Sequence, residues 1–161
     1  MVDGELNPRG HFGFVPDARA PGWMVRPAIE EGRFPDVLGT MRLKVEDDGR
    51  VRCRFEAAPR HRNIIEHVHG GYIMAAIDQA LFMTAAARGA LGPAGGVTLD
   101  CTTHFISAGR IGPALDVVGE VLRATGGHVF VRGIVEQEGA TVASFSGTIR
   151  KAPAPRPETP A

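Results

Sequence analysis

Residues 70–87 read GGYIMAAIDQALFMTAAA. The run is rich in alanine and apolar nearly all round, so it predicts one long helix buried on most of its faces. Before it stand LGTMRLKVE (38–46) and RVRCRFEAA (50–58), joined by Asp47-Asp48-Gly49, which is the apolar alternation and Asp-Gly turn of a hairpin. After the breakers Gly89, Gly92, Pro93, Gly95 and Gly96 come VTLDCTTHFIS (97–107), ALDVVGEVLRA (114–124), HVFVRGIVEQ (128–137) and ATVASFSGTIR (140–150). Each is strand-like and bounded by turn residues. Short connections favour antiparallel pairing, and the apolar face of such a sheet has only this helix to cover it. The expected fold is α+β: a curled antiparallel sheet of about five to six strands around one long central helix.

Beyond this unit, residues 1–35 carry many Gly, Pro and Arg with isolated aromatics (Phe12, Phe14, Trp23). They predict an N-terminal extension, irregular or with one short helix, covering a pocket mouth or a sheet edge. Residues 36–151 form one domain, and the proline-rich residues 152–161 a mobile tail. The 161 residues carry 18 Lys plus Arg against 18 Asp plus Glu, so no basic stripe points to nucleic acid or an anionic membrane. Asp78 interrupts the best apolar run, which excludes a clean transmembrane helix. The two cysteines, Cys53 and Cys101, lie far apart and suit free thiols in a cytoplasmic protein. His61, His67 and His69 are close in sequence, yet no carboxylate or cysteine pattern accompanies them, and no metal is expected.

The stretch NIIEHVHGG (63–71), with Asp78 inside the helix, is similar to the hotdog-fold acyl-CoA thioesterases of the phenylacetate-pathway (PaaI) type. HFISAGRIGPALDV (104–117) resembles that family's strand and turn after the helix. The resemblance implies a hotdog fold, hydrolysis of an aryl- or short- to medium-chain acyl-CoA, and a homodimer or homotetramer whose helices lie antiparallel across a two-fold axis. It implies no cofactor, because coenzyme A is part of the substrate.

The chemistry of the residues points the same way. A helix start offers unpaired N–H groups and the positive end of the dipole, so Gly70 can donate to a carbonyl oxygen that becomes negative during acyl transfer. The plainer reading of Gly70 and Gly71 is a tight loop-to-helix turn. Asp78 lies among Ile77, Ala80, Leu81 and Phe82, where a carboxylate is costly to bury unless bonded or used. It is the candidate base or nucleophile, with an interface or capping carboxylate as the alternative. From Gly70 to Asp78 the helix rises about 12 Å, too far for both to serve one carbonyl, so two chains are needed for one site.

Asn63 is a candidate to donate to the thioester or orient water, or is an ordinary turn asparagine. His69 either orders the helix start and touches the thioester or simply packs there. Thr98 matches a position where relatives place a water-orienting hydroxyl, though a strand threonine is commonplace. Arg88, Arg110, Arg150 and Lys151 are candidate cations for the coenzyme A phosphates. Gly71, Tyr72, Met74, Phe82 and Met83 are candidates for the acyl and pantetheine slot, although apolar helix residues are more often core. Two other readings use the same scaffold: an enoyl-CoA hydratase or dehydratase, for which the Asp-x-Asn-x-x-His segment is missing, and an acyl-CoA-binding protein without turnover.

Overall fold

The computed structural model describes residues 13–26, 32–92 and 94–153. Phe12 and the tail from residue 154 lie outside the described residues. The predicted helix is α1, Gly70–Ala87. Around it runs an antiparallel sheet: β1 (Val15–Pro16), β2 (Met24–Val25), β3 (Met41–Val45), β4 (Val51–Phe55), β5 (Gly96–Phe105), β6 (Leu115–Ala124), β7 (His128–Gln137) and β8 (Ala140–Lys151). The strands are ordered β1-β2-β3-β4-β6-β7-β8-β5, curling round the helix without closing. Strands β3 to β8 are the six foreseen from turn spacing.

Among the described residues the count rises to eight because the extension contributes β1 and β2, where irregular chain or a short helix was expected. Two residues of strand leave almost no periodicity to read. Tertiary contacts hold them: Phe14 joins the core, buried Asp17 pairs with Arg42, and Trp23 lies under Lys44 (5.2 Å) and Arg54 (4.6 Å). The Arg42 guanidinium holds the Asp17 carboxyl below its ordinary value. The extension thus covers the β3 edge of the sheet, leaving β5 as an edge strand that, among the described strands, bonds only to β8.

On β3 and β4, Met41, Leu43, Val51, Cys53 and Phe55 point inward while Arg42, Lys44, Arg52 and Arg54 point out, the period-two alternation of a half-buried sheet. Inward residues meet Ile77, Leu81 and Met83 of the helix in a continuous core. Each such side chain contributes about 1.5–3 kcal/mol by leaving water. Gly119 and Gly147 make room for the helix: a Cβ there would stand 2.8 Å from the Thr84 hydroxyl and 2.7 Å from Leu81 Cδ1, respectively. A larger residue at either position would force these side chains to shift.

The helix is less enclosed than its composition suggested. Tyr72, Ile73, Ala76, Ile77, Ala80 and Leu81 are buried, but Gly71, Met74 and Asp78 are exposed along one stripe beside β5. Spacings of three and four residues place them on one face. That open stripe positions the site.

Candidate active site

At the helix start, the loop that delivers Gly70 is built from its own polar atoms. The Asn63 side-chain oxygen accepts from the N–H groups of Ile65 and His67, both at 3.0 Å. His67 O accepts from Asn63 N at 2.8 Å, closing the loop. The Asn63 oxygen is thus committed to the turn, as the plainer reading expects, while its side-chain NH2 donates to no described residue. His69 caps the helix: its Nδ1 accepts from Gly71 N at 2.9 Å, which places the ring proton on Nε2. Tyr72 N and Ile73 N both donate to His69 O. Gly70 N–H alone of the first helical donors bonds to nothing among the described residues.

Two turns further on, Asp78 stands on the open stripe, and Thr98 Oγ1 of β5 donates to its Oδ1 at 2.7 Å. The sequence reading placed this carboxylate in an apolar burial site; in the single chain it is exposed, because the apolar neighbours Ile77, Ala80 and Leu81 turn to the sheet while Asp78 turns away. The fold thus joins Asp78 to Thr98, residues 20 apart, and holds the carboxylate in one orientation. β5 runs beside α1 in the opposite sense, so its other end reaches the helix start. There the Phe105 ring lies over Gly70: a Cβ on that glycine would be 3.3 Å from Phe105 Cζ.

Other candidates fall elsewhere. Tyr72 does not line a slot; it is buried, its hydroxyl donates to the carbonyls of Leu38 and Glu56, and burial pushes its pKa up. Gly71 is exposed, but its N–H is taken by the His69 cap and is not a free donor. Met83 is fully buried core, whereas Met74 is exposed and Phe82 half-buried beside the stripe. Arg110 sits at the helix-start end, where Val68 N donates to Gly109 O, and its guanidinium pairs with Glu138. Arg88 stands at the opposite end over Gly49 of the β3–β4 turn, about 27 Å along the helix from Gly70.

The three clustered histidines also separate. His61 is buried and stacked on Tyr72 at 3.8 Å; its Nδ1 accepts from Ala58 N, and Nε2 donates to Val37 O. Among the described residues, no three His, Cys, Asp or Glu side chains gather as a metal-ligand set. No described helix is long and apolar enough to cross a membrane.

A site that pairs an unpaired helix-start N–H with an oriented carboxylate suits acyl transfer to water. The family model of the thioesterase superfamily matches residues 66–152, more than half of the chain and all of α1. The chain belongs to the thioesterase superfamily. Its chemistry is therefore hydrolysis of a thioester. Solved structures share the fold of this superfamily member. The PaaI protein of the Escherichia coli phenylacetic acid degradation operon is 21% identical with a TM-score of 0.65, covering 77% of this chain and 87% of that one. A mutant of the phenylacetic acid degradation protein PaaI from Thermus thermophilus is 23% identical with a TM-score of 0.62, over 74% of this chain and 98% of that one. A hypothetical thioesterase protein from Streptococcus pneumoniae, solved with coenzyme A, is 22% identical with a TM-score of 0.60, over 68% of this chain and 86% of that one. No curated protein matches the sequence.

Phe105 was not among the residues singled out from sequence. A phenylalanine in a strand-like run is ordinary, and nothing local marks the one that folds back onto a helix-start glycine far earlier in the chain.

Proposed function

We propose that the chain hydrolyses acyl-CoA as a homodimer with two composite sites. In each, Gly70 N–H of one subunit holds the thioester oxygen, and Asp78 of the partner subunit, oriented by its own Thr98, acts as general base or nucleophile. The observation that carries this reading is the Asp78–Thr98 hydrogen bond on an open helix stripe whose starting N–H is unpaired. In one chain Asp78 is exposed and Gly70 half-buried, and the two lie about 12 Å apart along the helix. A second copy related by a two-fold axis brings the two ends together twice.

The edge strand favours that partner. β5 and the residue after it expose half or more of Val97, Leu99 and Ile106, and Met74 beside them is 46% exposed. A long unpaired edge with apolar side chains is the surface a second copy would cover. With antiparallel helices centred near Met74, Arg88 of the partner subunit projects about 15 Å beyond the helix start, toward the end that carries Arg110. The two arginines, about 27 Å apart along the helix direction within a chain, would then flank one entrance and meet the coenzyme A phosphates. No cofactor is needed, since coenzyme A arrives with the substrate, and the two free cysteines fit a cytoplasmic setting.

In the reaction, water activated by Asp78, or the carboxylate itself, adds to the carbonyl carbon, the oxyanion rests on Gly70 N–H, and collapse expels the thiolate of coenzyme A; the water route gives the free acid directly, and the carboxylate route gives an acyl-Asp78 anhydride that a water then hydrolyses. The test is free-thiol release from a panel of aryl-, short- and long-chain acyl-CoA, comparing wild type with Asp78→Asn. A loss of about a hundredfold or more in kcat/KM in a folded variant is expected. Binding of acyl-CoA without turnover by the wild type would favour the sensor reading instead, and full activity in Asp78→Asn would make the carboxylate structural.

A further inference from the structure

Phe105 is 53% exposed, yet its ring is not loose. The ring lies across Gly70, with Cζ, Cε1 and Cε2 at 3.3, 3.5 and 3.9 Å from the position of a Cβ on that residue. The backbone behind it is fixed to β8: Phe105 is registered against Ala143, Ile106 N and Ser107 N both donate to Val142 O, and Ser107 Oγ donates to Thr141 O at 2.7 Å. The strand behind the ring is therefore held in place, and with the ring in this position one side of Gly70 is covered.

An oxygen accepting from that N–H sits about 3 Å from the nitrogen. Its carbonyl carbon and the acyl carbon beyond it must pass next to the exposed half of the ring. An unbranched α-carbon presents only hydrogens there; a methyl on it needs the volume the ring occupies. Close-packed walls forgive little extra volume.

We propose that Phe105 is a specificity-determining residue that restricts the enzyme to thioesters unbranched at the α-carbon. The proposal rests on the reading of Gly70 N–H as the oxyanion donor. One methyl group in a tight slot is discriminated by roughly 10- to 200-fold.

The experiment compares kcat/KM on pairs differing at the α-carbon, butyryl- against isobutyryl-CoA and phenylacetyl- against 2-phenylpropanoyl-CoA, for wild type, Phe105→Leu and Phe105→Ala. The wild type is expected to prefer the unbranched member of any pair it hydrolyses by about tenfold or more. In Phe105→Ala that ratio falls about tenfold, with Phe105→Leu between, whatever the separate rates do. A ring that only packs the helix start would lower both rates alike and keep the ratio; that result, or a wild type without preference, overturns the proposal while leaving thioester hydrolysis standing. A wild type that hydrolyses none of the thioesters removes the functional reading beneath it and the proposal together.

Discussion

The two ends of the open stripe on α1 are built from different material. At Gly70 the candidate group is backbone, and its surroundings are loop hydrogen bonds: Asn63 holding the turn and His69 capping the helix. At Asp78 the candidate group is a side chain, held by one hydroxyl from a strand 20 residues on. The first end is set by helix geometry and changes little with single side chains; the second depends on one bond. The contrast teaches where the proposed two-chain site is open to test: a backbone group at one end and a side chain at the other, about 12 Å apart along one helix.

The sharpest way to break this comparison is complementation. Gly70→Pro removes the donor while leaving the helix able to start, because proline is tolerated at a first helical position and His69 already has φ −64°, ψ 132°, as a residue before proline requires. It is expected to lose roughly a hundredfold or more in kcat. Co-expressed with Asp78→Asn, the two inactive chains should regain roughly a quarter of wild-type activity, since half the dimers are mixed and each holds one intact site. No recovery in mixed dimers would refute composite sites.

A smaller loss separates the ends. Thr98→Val deletes the hydroxyl that orients Asp78, and a hydrogen bond of about 1 kcal/mol corresponds to several-fold in rate. It should lower kcat and leave KM nearly unchanged; an effect on KM alone would place Thr98 in binding. At the other end, His69→Ala leaves Gly71 N–H uncapped and is expected to cost about 1 kcal/mol of stability, with a Tm lower by a few degrees. His69→Asn, whose side chain can also cap, should recover most of it.

The mildest effect is with pH. Burial lowers the pKa of His61 from its ordinary 6.5, and a proton on Nδ1 would displace the Ala58 N–H. The unfolded chain then binds more protons in the window below pH 6.5, so the contribution of neutral His61 is full above that value and is lost as pH falls through its folded pKa. Denaturant midpoints measured near neutral pH and about one unit below the ordinary histidine pKa should differ less in His61→Gln than in wild type. Because His61 stacks on Tyr72 and its carbonyl accepts from His69 N, the same fall should loosen the Gly70 end before the Asp78 end.

Local pattern was enough for much of this protein. The helix at 70–87 and six strands follow from apolar periodicity and from glycines at the breaks, because those preferences act between near neighbours. Asp78 and Gly70 stood out because a carboxylate in an apolar helix and glycines at a helix start are locally unusual. Tertiary structure alone decided the rest. It buried the Tyr72 hydroxyl on two carbonyls, committed the Asn63 oxygen to its loop, separated Arg88 from Arg110, drew β1 and β2 onto β3, turned Asp78 to the open face and laid Phe105 on Gly70. Each of these is a contact between segments, set by how the sheet curls round α1, and no spacing along the chain encodes that curl.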